Sequence, residues 1–178
     1  MKSNVALIGF MGTGKTVVGK TLAKKLGWQL VELDTVIEQI AGKSIPDIFG
    51  DDGEIAFREL EINAVKKVSQ GKKQVIACGG GVVLNTINTD RLKQTSVVIN
   101  LTASLNTILQ RTVATKETRP MINVDNPEAR IKELMKFRKP LYEKGADFSI
   151  DTSQREINSI VEQIIERLKS YESFDFQK

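Results

Sequence analysis

The chain has 178 residues, 40% of them hydrophobic and 27% charged, with a formal net charge of +4, one cysteine and no histidine. This is the composition of an ordinary globular domain, and it excludes an internal disulfide, an imidazole base and a histidine-bound metal, so proton transfer falls to carboxylates and any metal to oxygen ligands, as magnesium prefers. No apolar run approaches a membrane span, and the basic balance, with a pI near 9.1, comes in short pairs (Lys24-Lys25, Lys66-Lys67, Lys72-Lys73) interleaved with acids, so neither membrane nor nucleic acid is expected as a partner.

Met1-Lys2-Ser3 leaves no room for a targeting segment before a first strand at about Asn4 to Ile8, and a cytoplasmic address is expected. Gly9-Phe10-Met11-Gly12-Thr13-Gly14-Lys15-Thr16 follows and fits the phosphate-binding pattern G-x-x-x-x-G-K-[ST]. Glycines let several backbone N–H groups converge on phosphate oxygens, and the next helix presents its positive end to them. Lys15 should reach the terminal phosphates, and the Thr16 hydroxyl should sit on a magnesium ion. The alternative is a glycine-rich turn that binds nothing; the apolar strand before it and the helical pattern after it (Val17, Val18, Leu22 and Leu26, closed by Gly27) argue against that.

Gln29 to Leu33 reads as a second strand, followed by Asp34 and a helix with Val36, Ile37 and Ile40 that Gly42 ends. A turn segment from Pro46 to Phe49 precedes a helix over about Glu54 to Val68. Gln74 to Cys78 makes a third strand running into Gly79-Gly80-Gly81. After a helix near Asp90 to Lys93 comes a fourth strand, Ser96 to Leu101, and Leu105, Ile108 and Leu109 mark another helix. Periodicity then fails from about Val113 to Asp125, a polar stretch of the length functional flaps have, with Arg119-Pro120 in its middle. Asn126-Pro127 reads as an N-cap and first helical turn of a helix lasting to about Tyr142. Phe148 to Ile150 is a last strand, and Ser153-x-x-Glu156 reads as a capping box for a final helix carrying Ile157, Ile160, Val161, Ile164, Ile165 and Leu168. From Tyr171 onward no pattern is visible.

This alternation implies one α/β domain, 1–178, whose parallel sheet is covered on both faces and binds ligands outside the carboxyl ends of its strands. The phosphate loop, Asp34 and the triple glycine should therefore open onto one cleft. Glu32 and Asp34, two apart at a strand end, should leave the same face and could hold a metal through water or accept a proton. Thr35-x-x-Glu38 offers Asp34 and Thr35 a capping role instead, and spacing does not decide between the two. Arg58, between Glu54 and Glu61, reads as a surface ion-pair residue. Arg138 falls on the apolar stripe of Ile131, Leu134, Met135, Leu141 and Tyr142, so an inward guanidinium needs an anion from a neighbouring acid or a ligand, and the ligand is favoured. Cys78 reads as a buried strand thiol.

Together these residues resemble the shikimate kinase family. The resemblance runs from about Val5 to Thr152 through GFMGTGKT, the strand ending in Asp34, Gly42-x-x-Ile45-x-x-Ile48-Phe49, Gly53-Glu54-x-x-Phe57-Arg58-x-x-Glu61, Gly79-Gly80-Gly81, Arg119-Pro120 and Arg138-x-Pro140-x-Tyr142. It implies a three-layer α/β/α fold of the nucleoside-monophosphate-kinase type with five parallel strands, a substrate-binding helical segment at about 34–62 and a lid at about 113–125. It further implies transfer of the ATP γ-phosphoryl group to the 3-hydroxyl of shikimate with one magnesium ion, by a monomer. Gly12, Thr13, Gly14, Lys15, Thr16 and Val17 would hold the nucleotide phosphates, Arg111 would stack on adenine with Arg155 as the far wall, and Arg119 would close over the γ-phosphate. Asp34 would bind the acceptor hydroxyls and take the proton. Arg58 and Arg138 would grip the carboxylate, Gly79, Gly80 and Gly81 would meet the hydroxyls, and Phe49 and Phe57 would pack on the ring. The family's common Asp-x-Asp is Glu32-Leu33-Asp34 here, so Glu32 would reach the metal-bound water across one extra methylene. Two other readings remain open: a gluconate-type kinase of another carboxylated polyol, and a nucleotide-binding regulatory protein, against which the missing Asn-Lys-x-Asp signature and the flap arginine speak.

Overall fold

The computed structural model describes residues 1–114, 126–172 and 174, apart from the side chains of 113 and 114. Arg119 and the lid segment from 115 to 125 thus lie outside the described residues. Five strands, β1 (Asn4–Ile8), β2 (Gln29–Glu32), β3 (Gln74–Ala77), β4 (Ser96–Thr102) and β5 (Phe148–Asp151), form one all-parallel sheet in the order β2-β3-β1-β4-β5. The central strands read as continuous apolar runs because helices cover both faces. Alternation then sorts their side chains. Ala6, Ile8, Ile76 and Val98 face one core, and Val5, Leu7, Val75, Val97 and Ile99 face the other.

The second core is closed by α1 (Lys15–Leu26), through Val18 and Leu22, and by α8 (Ile157–Lys169), through Ile160, Val161, Ile164 and Leu168. On the first core lie α2 (Leu33–Ala41), α3 (Ile45–Asp51), α4 (Gly53–Val68), α5 (Thr86–Thr95), α6 (Leu105–Ala114) and α7 (Pro127–Gly145). No helix among the described residues is long and apolar enough to cross a membrane.

Four local expectations are corrected. β2 stops at Glu32 and α2 begins at once, with Leu33 fully buried, so Asp34 sits in the first helical turn and not on the strand face of Glu32. Neither the capping box left open at Thr35-x-x-Glu38 nor the one expected at Ser153-x-x-Glu156 forms: Glu38 Oε1 accepts from Ile45 N at 2.9 Å, and Ser153 Oγ bonds Asp151 Oδ1 at 2.7 Å while α8 starts after Glu156. The segment around Pro46 is a helix, α3, with Ser44 as N-cap and proline in its first turn. The tail also has a place: Phe174 is buried against Trp28, ring centroids 5.7 Å apart, and bridges to Lys2.

Asp147 anchors both ends of the chain. Its carboxylate accepts from Val98 N (2.7 Å), Lys2 Nζ (2.9 Å) and Tyr171 Oη (2.9 Å). Burial alone would raise its pKa, but these bonds outweigh burial and hold it below the ordinary carboxylate range. A lowered folded value means that the stabilisation is complete above the ordinary value and is lost as pH falls through the lowered one. Asp147→Ala is expected to cost about 2–3 kcal/mol in urea unfolding at neutral pH, a gap that should close in acid.

Candidate functional site

The carboxyl end of β1 delivers the glycine-rich loop. Gly9 has φ 143°, and a Cβ there would run into the carbonyl of Leu101 at the end of the neighbouring strand, so the loop packs on β4 with no side chain between them. Thr13 Oγ1 donates to Phe10 O at 2.7 Å, tightening the turn. Gly14, at φ 89°, occupies the N-cap of α1 without a capping side chain, and the first turn holds no acid. The leading N–H groups of α1 and its positive end thus remain available to an anion. Lys15 Nζ donates to Gly9 O and Phe10 O, both at 2.9 Å, which folds the ammonium back across the loop, while Thr16 and Val17 are exposed beside it.

Arg111, on α6, ties this loop to the far edge of the sheet. Its Nη1 donates to Gly12 O (3.0 Å) and its Nη2 to Thr152 O (3.0 Å). The buried Thr152 hydroxyl lies 3.0 Å from both Thr13 O and Thr102 O. Arg155 stays with its own surroundings, donating to Asp151 O (3.2 Å) and Gln163 Oε1 (2.7 Å). Both arginines reach the residues that close β5.

On the other flank the triple glycine makes room for two charged groups. A Cβ on Gly79 would sit 2.8 Å from Asp34 Oδ1, and one on Gly81 would collide with the Arg58 guanidinium. Gly80 turns its carbonyl to α7, where it accepts from Tyr142 Oη and, at 3.4 Å, from Arg138 Nη1. Asp34 and Arg58 therefore meet at this turn, with Arg138 behind it. Phe57 is buried, its ring centroid 4.6 Å from that of Phe49, and the Arg58 guanidinium lies 5.1 Å over it.

Arg58 is not a surface ion-pair residue. Its Nη2 donates to the exposed Glu54 (3.0 Å), but its Nη1 donates at 3.1 Å to Glu61 Oε2, and Glu61 is 1% exposed. Burial pushes the Glu61 carboxyl above its ordinary pKa, with Arg58 opposing and Asp34 reinforcing the shift. Arg138 is 4% exposed, has no carboxylate within ion-pair distance among the described residues, and leaves its Nε without a hydrogen-bond partner. Burial likewise raises the Tyr142 phenol to about 12 and pushes the Cys78 thiol upward, so both are neutral near pH 7.

The sequence reading missed Glu61, Asn88 and Tyr142 as members of this cluster. Glu61 was detectable, since it falls in register with Phe57, Ala64, Val65 and Val68, all on the buried face of α4. Asn88, whose amide contacts Glu61 from α5, had no such signal. Glu32, the expected metal group, occupies the N-cap position of α2, half-buried, with no capping bond.

Comparison with known proteins agrees with this geometry. A family model described as shikimate kinase matches residues 11–169. The shikimate kinase of Thermodesulfovibrio yellowstonii is 51% identical over 169 residues, 95% of either chain, and that of Caldanaerobacter subterraneus subsp. tengcongensis is 45% identical over 91% of this chain and 94% of its own. Among solved structures, shikimate kinase from Acinetobacter baumannii in complex with shikimate superposes with a TM-score of 0.91 at 35% identity, covering 97% of this chain and 96% of that one. The shikimate kinase of Aquifex aeolicus gives 0.77 at 28% identity, covering 93% and 96%.

Proposed function

The chain belongs to the shikimate kinase family, and from that premise we propose how its own residues share the reaction it catalyses, transfer of the γ-phosphoryl group of ATP to the 3-hydroxyl of shikimate. The observation that carries the proposal is the buried Arg138, which has no carboxylate partner among the described residues and stands behind the same three glycines that Asp34 and Arg58 press against. Two guanidiniums near one turn suit the carboxylate of the acceptor, which then completes the bonding of Arg138. The backbone of Gly79, Gly80 and Gly81 meets the acceptor's hydroxyls, and the paired rings of Phe49 and Phe57 offer an apolar wall for its ring. The segment from about 34 to 62 is thus the acceptor-binding part of a single domain.

Asp34, an exposed carboxylate in a chain with no histidine, takes the proton of the 3-hydroxyl as its oxygen attacks the γ-phosphorus and ADP leaves. Residues Gly12 to Val17 hold the phosphates through the N-terminus of α1. Lys15 exchanges its loop carbonyls for the β- and γ-oxygens and offsets charge on the transferring group. Arg111 supports one face of adenine and Arg155 the other, while the assignment of Arg119 to the γ-phosphate rests on its Arg-Pro motif alone.

An ATP-using kinase works with a divalent metal, and the side chains proposed for it carry the oxygen donors that suit magnesium: the exposed hydroxyl of Thr16 and the half-buried carboxylate of Glu32, which would act through water. No cluster of three His, Cys, Asp or Glu side chains forms a metal cage among the described residues, so the remaining ligands would be phosphate oxygens and water. Bound there, the ion would neutralise charge on the β- and γ-oxygens. The cytoplasmic location expected from the sequence and the monomeric state implied by the resemblance are tested by fractionation and sedimentation.

The direct test is ATP turnover by the purified chain with magnesium and, in parallel, shikimate, gluconate or quinate, with the product identified by mass. A phosphorylated product with shikimate alone, abolished by a chelator and restored by magnesium, is expected; phosphorylated gluconate or quinate at comparable rates would overturn the acceptor assignment. At the turn itself, the three atoms nearest to a Cβ on Gly81 all belong to the Arg58 guanidinium, so Gly81→Ala forces the flexible end of Arg58 aside. It should raise the shikimate KM about five- to tenfold and cost about 1–2 kcal/mol by urea titration, because the buried Glu61 loses part of its bonding to Arg58.

A further inference from the structure

We infer that Asn88 is a positioning residue for the acceptor: its side-chain amide holds Glu61 as an oriented carboxylate, and through it fixes the Arg58 guanidinium. The inference rests on the assignment of Arg58 to the shikimate carboxylate.

Asn88 lies on α5 and is fully buried, where its neighbour in register, Leu92, is apolar. Its Nδ2 lies 3.4 Å from Glu61 Oε2 and 3.4 Å from Val82 O. The opposite amide orientation would set Oδ1 against a carboxylate and a carbonyl, three acceptors together, so the neighbours dictate which end faces Glu61. Glu61 Oε2 thus has two donors from two elements, Arg58 Nη1 on α4 and Asn88 Nδ2 on α5. The other oxygen, Oε1, has no partner. A buried carboxylate with so few donors depends heavily on each of them.

Arg58 has a second anion to turn to. Its Nε and Nη2 already touch Glu54 Oε1, at 3.3 and 3.0 Å, on the exposed side of α4. Once Glu61 takes a proton, Glu54 holds the guanidinium alone and nothing fixes its inward arm. The groups facing Glu61 are Arg58 on its own helix, Asp34 from α2, Arg138 and Tyr142 from α7, and Cys78 at the end of β3. Burial keeps the phenol and the thiol neutral through the working range, and Glu61 is the buried carboxyl left to change. Removing the Asn88 amide withdraws a donor that favours the ionised form of Glu61 over the protonated one, which raises the pH at which it takes up a proton.

The test is Asn88→Leu, which keeps the volume and removes the amide, assayed against shikimate and ATP from about pH 5.5 to about pH 9. The shikimate KM should rise about tenfold at pH 7 and more at lower pH, with the acid limb of kcat/KM moved to higher pH. Turnover at saturating shikimate and the ATP KM should stay within about twofold. In a Glu61→Gln background Asn88→Leu should add nothing, because the neutral amide has no ionised form to stabilise. An unchanged shikimate KM and pH profile, an equal rise in the Glu61→Gln background, or a loss confined to kcat would overturn the inference. Should Asn88→Leu fail to fold, Asn88→Ala, which also removes the amide, must likewise raise the shikimate KM and move the acid limb to higher pH, or the inference falls. Arg58→Lys run alongside separates the two claims: no change in shikimate KM there removes Arg58 from the site, whereas a rise there with none in the Asn88 variants removes only Asn88.

Discussion

Asp34→Asn should lower kcat by about 10²–10⁴-fold while leaving ATP affinity nearly untouched. The substitution keeps the size of the side chain and its place in the first turn of α2, so it deletes the proton acceptor with little change in packing. No imidazole exists to replace it, and Glu61, the other acid at this turn, is buried and engaged with Arg58. Single-turnover measurements with ATP and shikimate both saturating isolate the chemical step, and near-normal turnover would remove Asp34 as the base. The contacts proposed for the nucleotide lie at the phosphate loop and beyond β4, so ATP binding by calorimetry is the internal control.

Arg138→Leu should produce a different signature, a shikimate KM raised about 10²–10³-fold with a smaller change in kcat. A charge-assisted contact to a carboxylate buried beside Gly80 is removed, and what remains is Arg58, already shared between Glu54 and Glu61. The same substitution should stabilise the ligand-free protein by about 1–2 kcal/mol, because a buried guanidinium with an unsatisfied Nε gives way to an apolar side chain on an apolar stripe. Shikimate should then no longer raise the melting temperature, since that increment depends on binding to the folded state. An unchanged shikimate KM would return Arg138 to a structural role.

Those two residues also mark what could be read without coordinates. Arg138 was legible because helical periodicity alone places a charge where the pattern asks for a hydrophobe. The phosphate loop was legible because its chemistry is local: eight consecutive residues carry the turn, the ammonium and the hydroxyl, and the flanking patterns supply strand and helix. The five-strand alternation followed from the same local signals. Asp34 was placed at the correct point of the chain but on the wrong backbone, because Leu33 can end a strand or open a helix equally well and only its burial under α2 decides. Glu61 was misread because a glutamate three residues after an arginine satisfies the rule for an exposed pair, although its register with Phe57 and Ala64 puts it on the buried face of α4. Asn88 and the Gly80 carbonyl could not have been read at all, since their roles arise where α4, α5 and α7 converge, far apart in sequence.

The strand order has a consequence for how such a chain can change over generations. The phosphate loop leaves the central strand; the arginines assigned to adenine lie beyond β4 and β5, while α2, α3 and α4, which come between β2 and β3 in the chain, carry four of the five side chains assigned to the acceptor. The two flanks meet at the glycine-rich turn and share few side chains, so changes accumulating in one leave the geometry of the other in place. That segment can therefore behave as a cassette: its residues can drift or be exchanged towards a new acceptor while the inherited nucleotide half keeps working, with the glycines after β3 as the seam that any replacement must still fit.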